Sequence, residues 1–347
     1  MIKIYLSHKK ETLKMKKLCV KTLAFFTAAL IIALCFAGCG AKEQTAEINI
    51  GMLAGPTGVG AAKLLADSEA GKTKNTYKAT IFSAPDEVTA KFISGELDVA
   101  AVPTNLAAVL YKKTGGKALI AALNTLGVLY VVTADGTQIS SVSDLKGKTV
   151  YSSGQAAVPE YVFDYILDAN GIKKDVKVVY EAEHDAVIAD LASGKAQIAV
   201  LPEPKVTAAL MKLEGAKVSL DLTAEFEKAA ALKGDKDAVL SMGCVIVSKD
   251  FAEKNKKALD IFLDEYEASI GYMSDGANLD DAAALCETYG IIPKAAVAKK
   301  AIPNCSLTFV AGDRMKTVIA PFYEILYNYN ASSVGGTLPD DGFYYKK

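Results

Sequence analysis

The sequence predicts an α/β fold with two similar lobes, each a mainly parallel sheet flanked by helices. The chain has 347 residues, beyond the ~250–300 residues at which single hydrophobic cores stop growing. Apolar strand-like runs alternate with helical patterns, which favours parallel sheets joined by right-handed crossovers. One strand-containing segment also recurs further along the chain. Length, alternation and repetition together indicate two lobes of the same architecture.

The repeat relates residues 91–112 to residues 190–211 without a gap, at an offset of 99 positions. The matched positions are small, apolar or turn residues: Ser94 with Ser193, Gly95 with Gly194, Val99 with Ile198, Ala100 with Ala199, and Pro103 with Pro202. Gly55 and Gly154 have the same offset, and each follows a strand-like run. Strand, loop and helix recur in any α/β protein, so a chance match stays open. The repeat predicts equivalent loops at the carboxyl ends of strands, where such sheets bind ligands, facing each other across a cleft.

The first 38 residues have the layout of a signal peptide. They contain seven lysines and one acidic residue, and residues 23–36 form an uncharged apolar run. This run is shorter than the ~20 residues of a membrane-spanning helix, and small residues follow it, as in secretory signals. Phe36-Ala37-Gly38-Cys39 resembles a bacterial lipobox, with Phe36 where leucine is usual.

We therefore expect a signal peptide with a lipobox at 1–38, lipidation of Cys39 and a polar tether at 39–46. This would place the globular part outside the cytoplasm, anchored to the cell membrane through lipid. An uncleaved anchor helix with a chance cysteine is the alternative. Met15 would begin a more ordinary signal than Met1, so the start site stays open.

Charge and cysteine content exclude several classes of function. Residues 39–347 hold 32 basic and 39 acidic residues, an acidic balance that disfavours binding to nucleic acid. Two histidines and six cysteines in the whole chain make a histidine-based zinc site or a dense disulfide scaffold unexpected, so we expect no metal. Cys244, Cys286 and Cys305 are interpreted as buried small residues, although Cys286 and Cys305 could pair in an oxidising compartment.

Two apolar β-type stretches, at 126–133 and 243–247, are interpreted as crossovers between the lobes. They predict lobe I at 47–130 plus 244–347, and lobe II at 131–243. The rest of the chain after the second crossover is expected to be mostly helical. There a stripe with helical spacing predicts one buried helix face, formed by Leu259, Phe262, Leu263, Tyr266 and Ile270. The final residues, 330–347, are expected to form an ordered tail.

Six short motifs occur in order along the predicted mature chain: the lipobox at Cys39, Gly-Pro-Thr-Gly at 55–58, Ser-Gly-Glu-Leu-Asp-Val at 94–99, Asp-Leu-Lys-Gly-Lys-Thr-Val at 144–150, Glu203-Pro204, and the run at 334–345. As a set they resemble the extracytoplasmic solute-binding proteins of ABC importers. Within that superfamily, the chain is similar to the group that binds sulfonates, taurine, nitrate and thiamine pyrimidines.

The resemblance implies a two-lobe clamp of the type II, periplasmic-binding-protein-like class. Such a clamp closes on a small solute and docks to an ABC transporter permease, but the resemblance does not supply the solute's identity. From the candidate contacts described below we expect a small polar or heteroaromatic solute. Because the lipid anchor, the repeated lobes and the missing catalytic residues agree, we expect a monomer without a cofactor, and not an enzyme. The alternative is an enzyme on the same fold that acts on a small biosynthetic precursor, although such enzymes lack a signal segment.

Polar residues at the strand ends of lobe I are the first candidate ligand contacts. Thr57 and Gly58 lie where the first strand becomes a helix, and the free N–H groups of a helix start favour an anion or an acceptor oxygen. Thr104 and Asn105 follow the strand of the repeat, and Asn124 lies before the first crossover. A tight turn could equally explain Gly58, and helix capping could explain Thr104 and Asn105.

The corresponding loops of lobe II supply the other candidates. Ser152, Ser153 and Gln155 would form a neutral, polar binding loop near the start of a helix. Glu203 would accept a hydrogen bond from a donor group on the solute, although it could instead cap the following helix. Tyr130 and Tyr151 are the aromatic residues nearest to these loops in sequence.

Arginine and histidine are nearly absent, which limits the kinds of binding and catalytic site that the chain can form. Arg314 is the single arginine and lies at a predicted helix start, so we expect it at the surface rather than clamping a carboxylate. His184 lies between Glu183 and Asp185 and is expected to be solvated. The chain contains no Gly-x-Ser-x-Gly motif, and no catalytic residues are predicted.

Overall fold

The structure is a computed structural model that describes residues 45–347. The predicted signal peptide, Cys39 and most of the predicted tether lie outside the described residues. Residues 45–347 form one compact unit. A search of this unit finds no helix with the length and apolar character needed to cross a membrane.

Strands and helices alternate through most of this unit. The strands are β1 (Glu47–Leu53), β2 (Thr76–Phe82), β3 (Val99–Pro103), β4 (Ala118–Leu126), β5 (Leu129–Thr133), β6 (Thr149–Ser152), β7 (Lys177–Tyr180), β8 (Ile198–Pro202), β9 (Lys217–Asp221), β10 (Ser241–Ser248) and β11 (Leu307–Ala311). The helices are α1 (Pro56–Val59), α2 (Ala62–Glu69), α3 (Pro85–Ile93), α4 (Thr104–Lys113), α5 (Val158–Ala169), α6 (His184–Ala192), α7 (Lys205–Lys212), α8 (Leu222–Lys233), α9 (Lys249–Lys254), α10 (Lys256–Ser274), α11 (Leu279–Thr288), α12 (Ala295–Ala301) and α13 (Asp313–Tyr329).

The strands form two sheets flanked by helices, as the sequence predicts. The sheet of lobe I has the order β11-β4-β10-β3-β1-β2, and that of lobe II has the order β7-β6-β8-β5-β9. Strand β1 pairs in parallel with β2 and β3, and β6 pairs in parallel with β7 and β8. Both sheets therefore contain the same three-stranded parallel unit, with the first strand in its centre.

The prediction that each sheet is mainly parallel is wrong, because β10 and β5 pair with antiparallel neighbours. The chain enters lobe II directly from the end of β4 and begins β5 there, and it returns to lobe I through α8 and residues 234–240 to begin β10. A strand that begins at the cleft edge must run away from it, opposite to the strands that end there. The two crossovers thus make both sheets mixed.

The repeat is confirmed in three dimensions. Helix α3, β3 and α4 in lobe I correspond to α6, β8 and α7 in lobe II at the predicted offset. Both leading helices are followed by glycines in the left-handed region, with φ of 79° at Gly95 and 77° at Gly194. Only glycine adopts that conformation freely, so the repeated Ser-Gly marks the same helix ending twice.

The largest apolar cluster contains residues of both lobes. Phe226 of α8 packs with its ring centroid 5.8 Å from that of Phe322 of α13, and 5.3 Å from that of Tyr165 of α5. The predicted apolar stripe of α10 is buried in a second cluster. The tail is ordered, and the Tyr345 N–H donates to the carbonyl of Ile120 at 2.9 Å. Shared packing therefore joins the lobes on one side while the strand-end loops lie at the cleft edge.

Candidate functional site

The first loop of lobe I is held by backbone contacts. The Gly55 N–H donates to the Ile291 carbonyl at 2.8 Å, and the Gly58 N–H donates to the Gly55 carbonyl at 3.0 Å. A Cβ atom at Gly58 would lie 2.4 Å from the carbonyl oxygen of Leu53, closer than any side chain allows. Glycine is thus required at position 58 for packing, while Thr57 beside it is half-buried.

Thr104 and Asn105 open helix α4 but differ in their hydrogen bonding. The Thr104 hydroxyl is fully buried and donates to the Ser241 carbonyl at 2.6 Å, which joins α4 to β10. Asn105 is half-buried, and no group of residues 45–347 hydrogen-bonds to its side chain. The Asn105 amide is therefore the freer of the two to bind a solute.

Asn124, at the end of β4, fixes the position of the first loop. Its Nδ2 donates to the Thr57 carbonyl at 3.0 Å and to the Tyr266 hydroxyl at 2.9 Å. Its Oδ1 is buried without a hydrogen-bond partner among the described residues. The amide thus ties Thr57 to the buried face of α10, a structural role that sequence reasoning did not identify.

The equivalent loop of lobe II contains a serine–histidine pair. Ser153 is buried at the end of β6, and its Oγ hydrogen-bonds Nδ1 of His184, the first residue of α6. Ser152 is buried beside it and donates to the Ser153 carbonyl at 3.1 Å. The expectation that His184 is solvated is wrong, because it is half-buried against this loop.

The backbone of the same loop offers further donors. No group of residues 45–347 accepts a hydrogen bond from the N–H groups of residues 153–155. Gln155 is exposed, and its side chain makes no hydrogen bond within the described chain. N–H donors without an acceptor in a loop before a helix favour an oxygen or an anion.

Glu203 is 2% exposed and lies just before α7. Its carboxylate accepts hydrogen bonds from the Thr207 N–H at 3.2 Å and from the Thr207 hydroxyl at 3.1 Å. Burial raises the pKa of Glu203, and the hydrogen bonds from Thr207 and from the Asn304 side chain act against this rise. Glu203 thus makes the helix-capping contacts that the sequence left open as the alternative role.

The lobes meet beside these loops. A Cβ atom at Gly55 would lie 3.8 Å from the Cδ atom of Pro204, so the loop after β1 faces the loop after β8. The Tyr130 hydroxyl donates to the carbonyl of Asn304 at 3.5 Å. Burial and the nearby acids, Asp221 first, raise the pKa of Tyr130 to about 12. These contacts place Tyr130 at the seam between the lobes.

A cavity of about 470 Å³ opens at this seam, between α7 of lobe II and α12 of lobe I. Its lining combines Pro204, Met211 and Val297 with Lys205 and Lys294. A cavity of about 540 Å³ lies at the opposite end of the lobe I sheet, around Asp98 and Ser248. Only the first of these two cavities adjoins the strand-end loops.

Residues away from the cleft behave largely as the sequence predicts. Arg314 is exposed in the first turn of α13. Cys244, Cys286 and Cys305 are buried, and none of them forms a disulfide within residues 45–347. Burial alone raises the pKa of Cys286 to about 12, so the thiol stays protonated at neutral pH.

Sequence reasoning missed two residues at the cleft, His184 and Asn304. The repeat carried a signal for the first of them. Position 85, where α3 begins, becomes position 184 at the offset of 99. His184 was therefore identifiable as the first residue of a helix that follows a strand end. Asn304 has no counterpart in the repeat and no pattern that marks it.

Comparison with known protein families and solved structures identifies proteins that this chain resembles. Residues 68–222 match the family model described as ABC transporter, phosphonate, periplasmic substrate-binding protein. The predicted resemblance to solute-binding proteins of ABC importers is confirmed. The matched segment begins in α2 of lobe I and ends at the start of α8. Among curated proteins, no sequence matches the chain.

Solved structures agree with the two-lobe architecture. An ABC transporter protein from Parabacteroides distasonis is 23% identical, has a TM-score of 0.72, and is matched over 86% of this chain and 99% of its own. The periplasmic aliphatic sulphonate binding protein SsuA from Escherichia coli is 15% identical with a TM-score of 0.66, over 86% and 93%. The alkanesulfonate-binding protein SsuA from Xanthomonas axonopodis pv. citri, bound to MOPS, is 14% identical with a TM-score of 0.59, over 85% and 94%. At these identities the likeness establishes the fold of the solute-binding protein.

Proposed function

We propose that this protein is the substrate-binding lipoprotein of an ABC importer, which captures a small polar or heteroaromatic solute between its lobes and delivers it to a permease. The observation that carries the proposal is the pairing of equivalent strand-end loops across one cleft. Asn105 from lobe I and Ser153 with residues 154–155 from lobe II bring donors to that cleft. The chain passes between the sheets twice, at 127–128 and at 222–240, which suits rotation of the lobes about a hinge.

The solute is of the sulfonate, nitrate or thiamine-precursor type. The amide of Asn105 and the N–H groups of residues 153–155, which have no acceptor within residues 45–347, favour solute oxygens. The carboxylate of Glu203 would suit a donor on a heteroaromatic ring, although its contacts with Thr207 occupy part of its capacity. The sulfonate relatives support the first class by analogy of fold.

Mass spectrometry of protein purified under native conditions would identify the solute that remains bound. Calorimetry would then measure its affinity for Asn105→Ala, Glu203→Ala and Arg314→Ala. A lost neutral hydrogen bond costs about 0.5–1.5 kcal/mol, or roughly two- to tenfold in affinity, and one to a charged group more. We expect such losses for Asn105→Ala and Glu203→Ala and little change for Arg314→Ala. Loss of binding only in Arg314→Ala would refute the site.

A further inference from the structure

The Ser153–His184 pair has a property beyond contact with a solute. The inference rests on the proposed function, because it assumes that the loop after β6 lines the solute cleft. Ser153 is 2% exposed and anchored at the end of β6, and its Oγ hydrogen-bonds His184 Nδ1. The hydroxyl has one proton, so the direction of this hydrogen bond decides what Ser153 offers to the cleft.

The charges around His184 come from its own helix and from α7. Burial lowers the pKa of His184, and so does the ammonium group of Lys205, while Glu183 and Asp185 act in the opposite direction. Lys205 itself pairs with Asp185 at 2.6 Å. The lowered pKa keeps the imidazole neutral at pH 7, and the imidazole is protonated only below that lowered pKa.

Protonation reverses the hydrogen bond if the neutral imidazole carries its hydrogen on Nε2. Nδ1 of that tautomer accepts a hydrogen bond from the Ser153 hydroxyl, so only the oxygen lone pairs of Ser153 remain for the solute. When the imidazole is protonated, Nδ1–H must donate, because both ring nitrogens carry hydrogens. The Ser153 oxygen then accepts this hydrogen bond, and the Ser153 O–H is free to donate to an oxygen of the solute.

We propose that His184 is a specificity-determining residue. Through Ser153 it sets whether the cleft offers the solute a hydrogen-bond donor or a hydrogen-bond acceptor. An anionic solute is consequently bound more tightly when the imidazole is protonated. A solute that presents only N–H groups to Ser153 shows the reverse dependence. His184 is thus a positioning residue that acts on the solute through the neighbouring hydroxyl.

The test uses the full-length protein in detergent and two probes that stay ionised between pH 5 and 8, ethanesulfonate and nitrate. Proton NMR of the imidazole, compared with His184→Asn, gives the pKa of His184 without any solute. Calorimetry then gives Kd above and below that value. We expect the affinity to rise about tenfold to a hundredfold on protonation, the effect of one hydrogen bond to a charged group.

Two variants separate the hydroxyl from the charge. Ser153→Ala should remove most of the pH dependence, and Ser153→Thr, which keeps a hydroxyl, should retain it. Because Glu203 also titrates in this cleft, the series is repeated in Glu203→Gln. Asn105→Ala should weaken binding equally at both pH values.

The outcomes distinguish this inference from the proposed function. Probe binding with no pH dependence, or with a dependence that survives in Ser153→Ala, would overturn the role of His184 and leave the function standing. Failure of both probes to bind at any pH would contradict the anionic solute class and the inference together. A pH dependence that Ser153→Ala abolishes and Ser153→Thr preserves would support it.

Discussion

Replacing Thr207 tests whether the Glu203 carboxylate is held by hydrogen bonds from helix α7. Thr207→Val removes one hydroxyl and keeps the side-chain shape, so the Thr207 N–H remains the one bond from this residue to the carboxylate. Both residues are buried, at 2% and 6% exposure. A hydrogen bond to a charged group contributes about 1.5–3 kcal/mol. We expect the free energy of unfolding at pH 7.5 to fall by that amount.

The assay is urea denaturation of residues 45–347, followed by circular dichroism, with Thr207→Ser as the matched control that keeps the hydroxyl. At a specific unfolding entropy of ~2.1 cal/mol/K per residue, the loss corresponds to about 2–5 °C in Tm. Hydrogen exchange should show the effect concentrated in α7. Thr207→Val as stable as the wild type, with Thr207→Ser unchanged, would refute the capping role of Glu203.

Glu203→Gln gives the pH dependence of the same contact. Burial raises the folded-state pKa of Glu203 above its unfolded value, so the native state binds more protons and stability falls as pH rises between the two values. The carboxylate therefore destabilises the fold above its folded pKa. We expect Glu203→Gln to be more stable than the wild type at pH 7.5, and the difference to vanish near pH 4. An equal difference at both pH values would contradict this account.

Three further changes have expected outcomes. Gly243→Ala would place a Cβ atom 2.7 Å from Asn124 Oδ1, and the overpacking should cost about 1–3 kcal/mol in urea denaturation; an unchanged midpoint would contradict the close approach. Phe226→Ala should cost about 3–5 kcal/mol, and the double variant with Phe322→Ala should cost less than the sum because the rings touch; strict additivity would argue against that contact. Cys39→Ala should release the mature protein from the membrane fraction, and full retention after signal cleavage would overturn the lipid anchor.

Local patterns predicted the architecture well because each lobe is built from short-range units. The repeated Ser-Gly, apolar strand and proline lie within about twenty residues, so they are visible without tertiary information. The mixed character of the sheets was not visible in this way. Strand β10 is inserted between β3 and β4, and such a position depends on where the chain returns rather than on its local sequence.

The site was less predictable from the sequence, because several of its side chains hydrogen-bond to residues that lie far away along the chain. The Thr104 hydroxyl bonds to the carbonyl of Ser241, 137 positions away, and the Asn124 amide bonds to Tyr266, 142 positions away. A polar residue at a strand end has the same pattern whether it faces a solute or a neighbouring strand. Within residues 45–347, Asn105 and Gln155 have no such partners, and sequence alone could not separate them from Thr104.

The central claim is that a solute is captured by closure of two lobes. Small-angle X-ray scattering on residues 45–347 would compare protein carrying its co-purified solute with protein from which the solute has been removed by unfolding and refolding. The account predicts a smaller radius of gyration with solute bound, because contacts to both lobes favour the closed state. Saturated protein with an unchanged radius and scattering curve would contradict it.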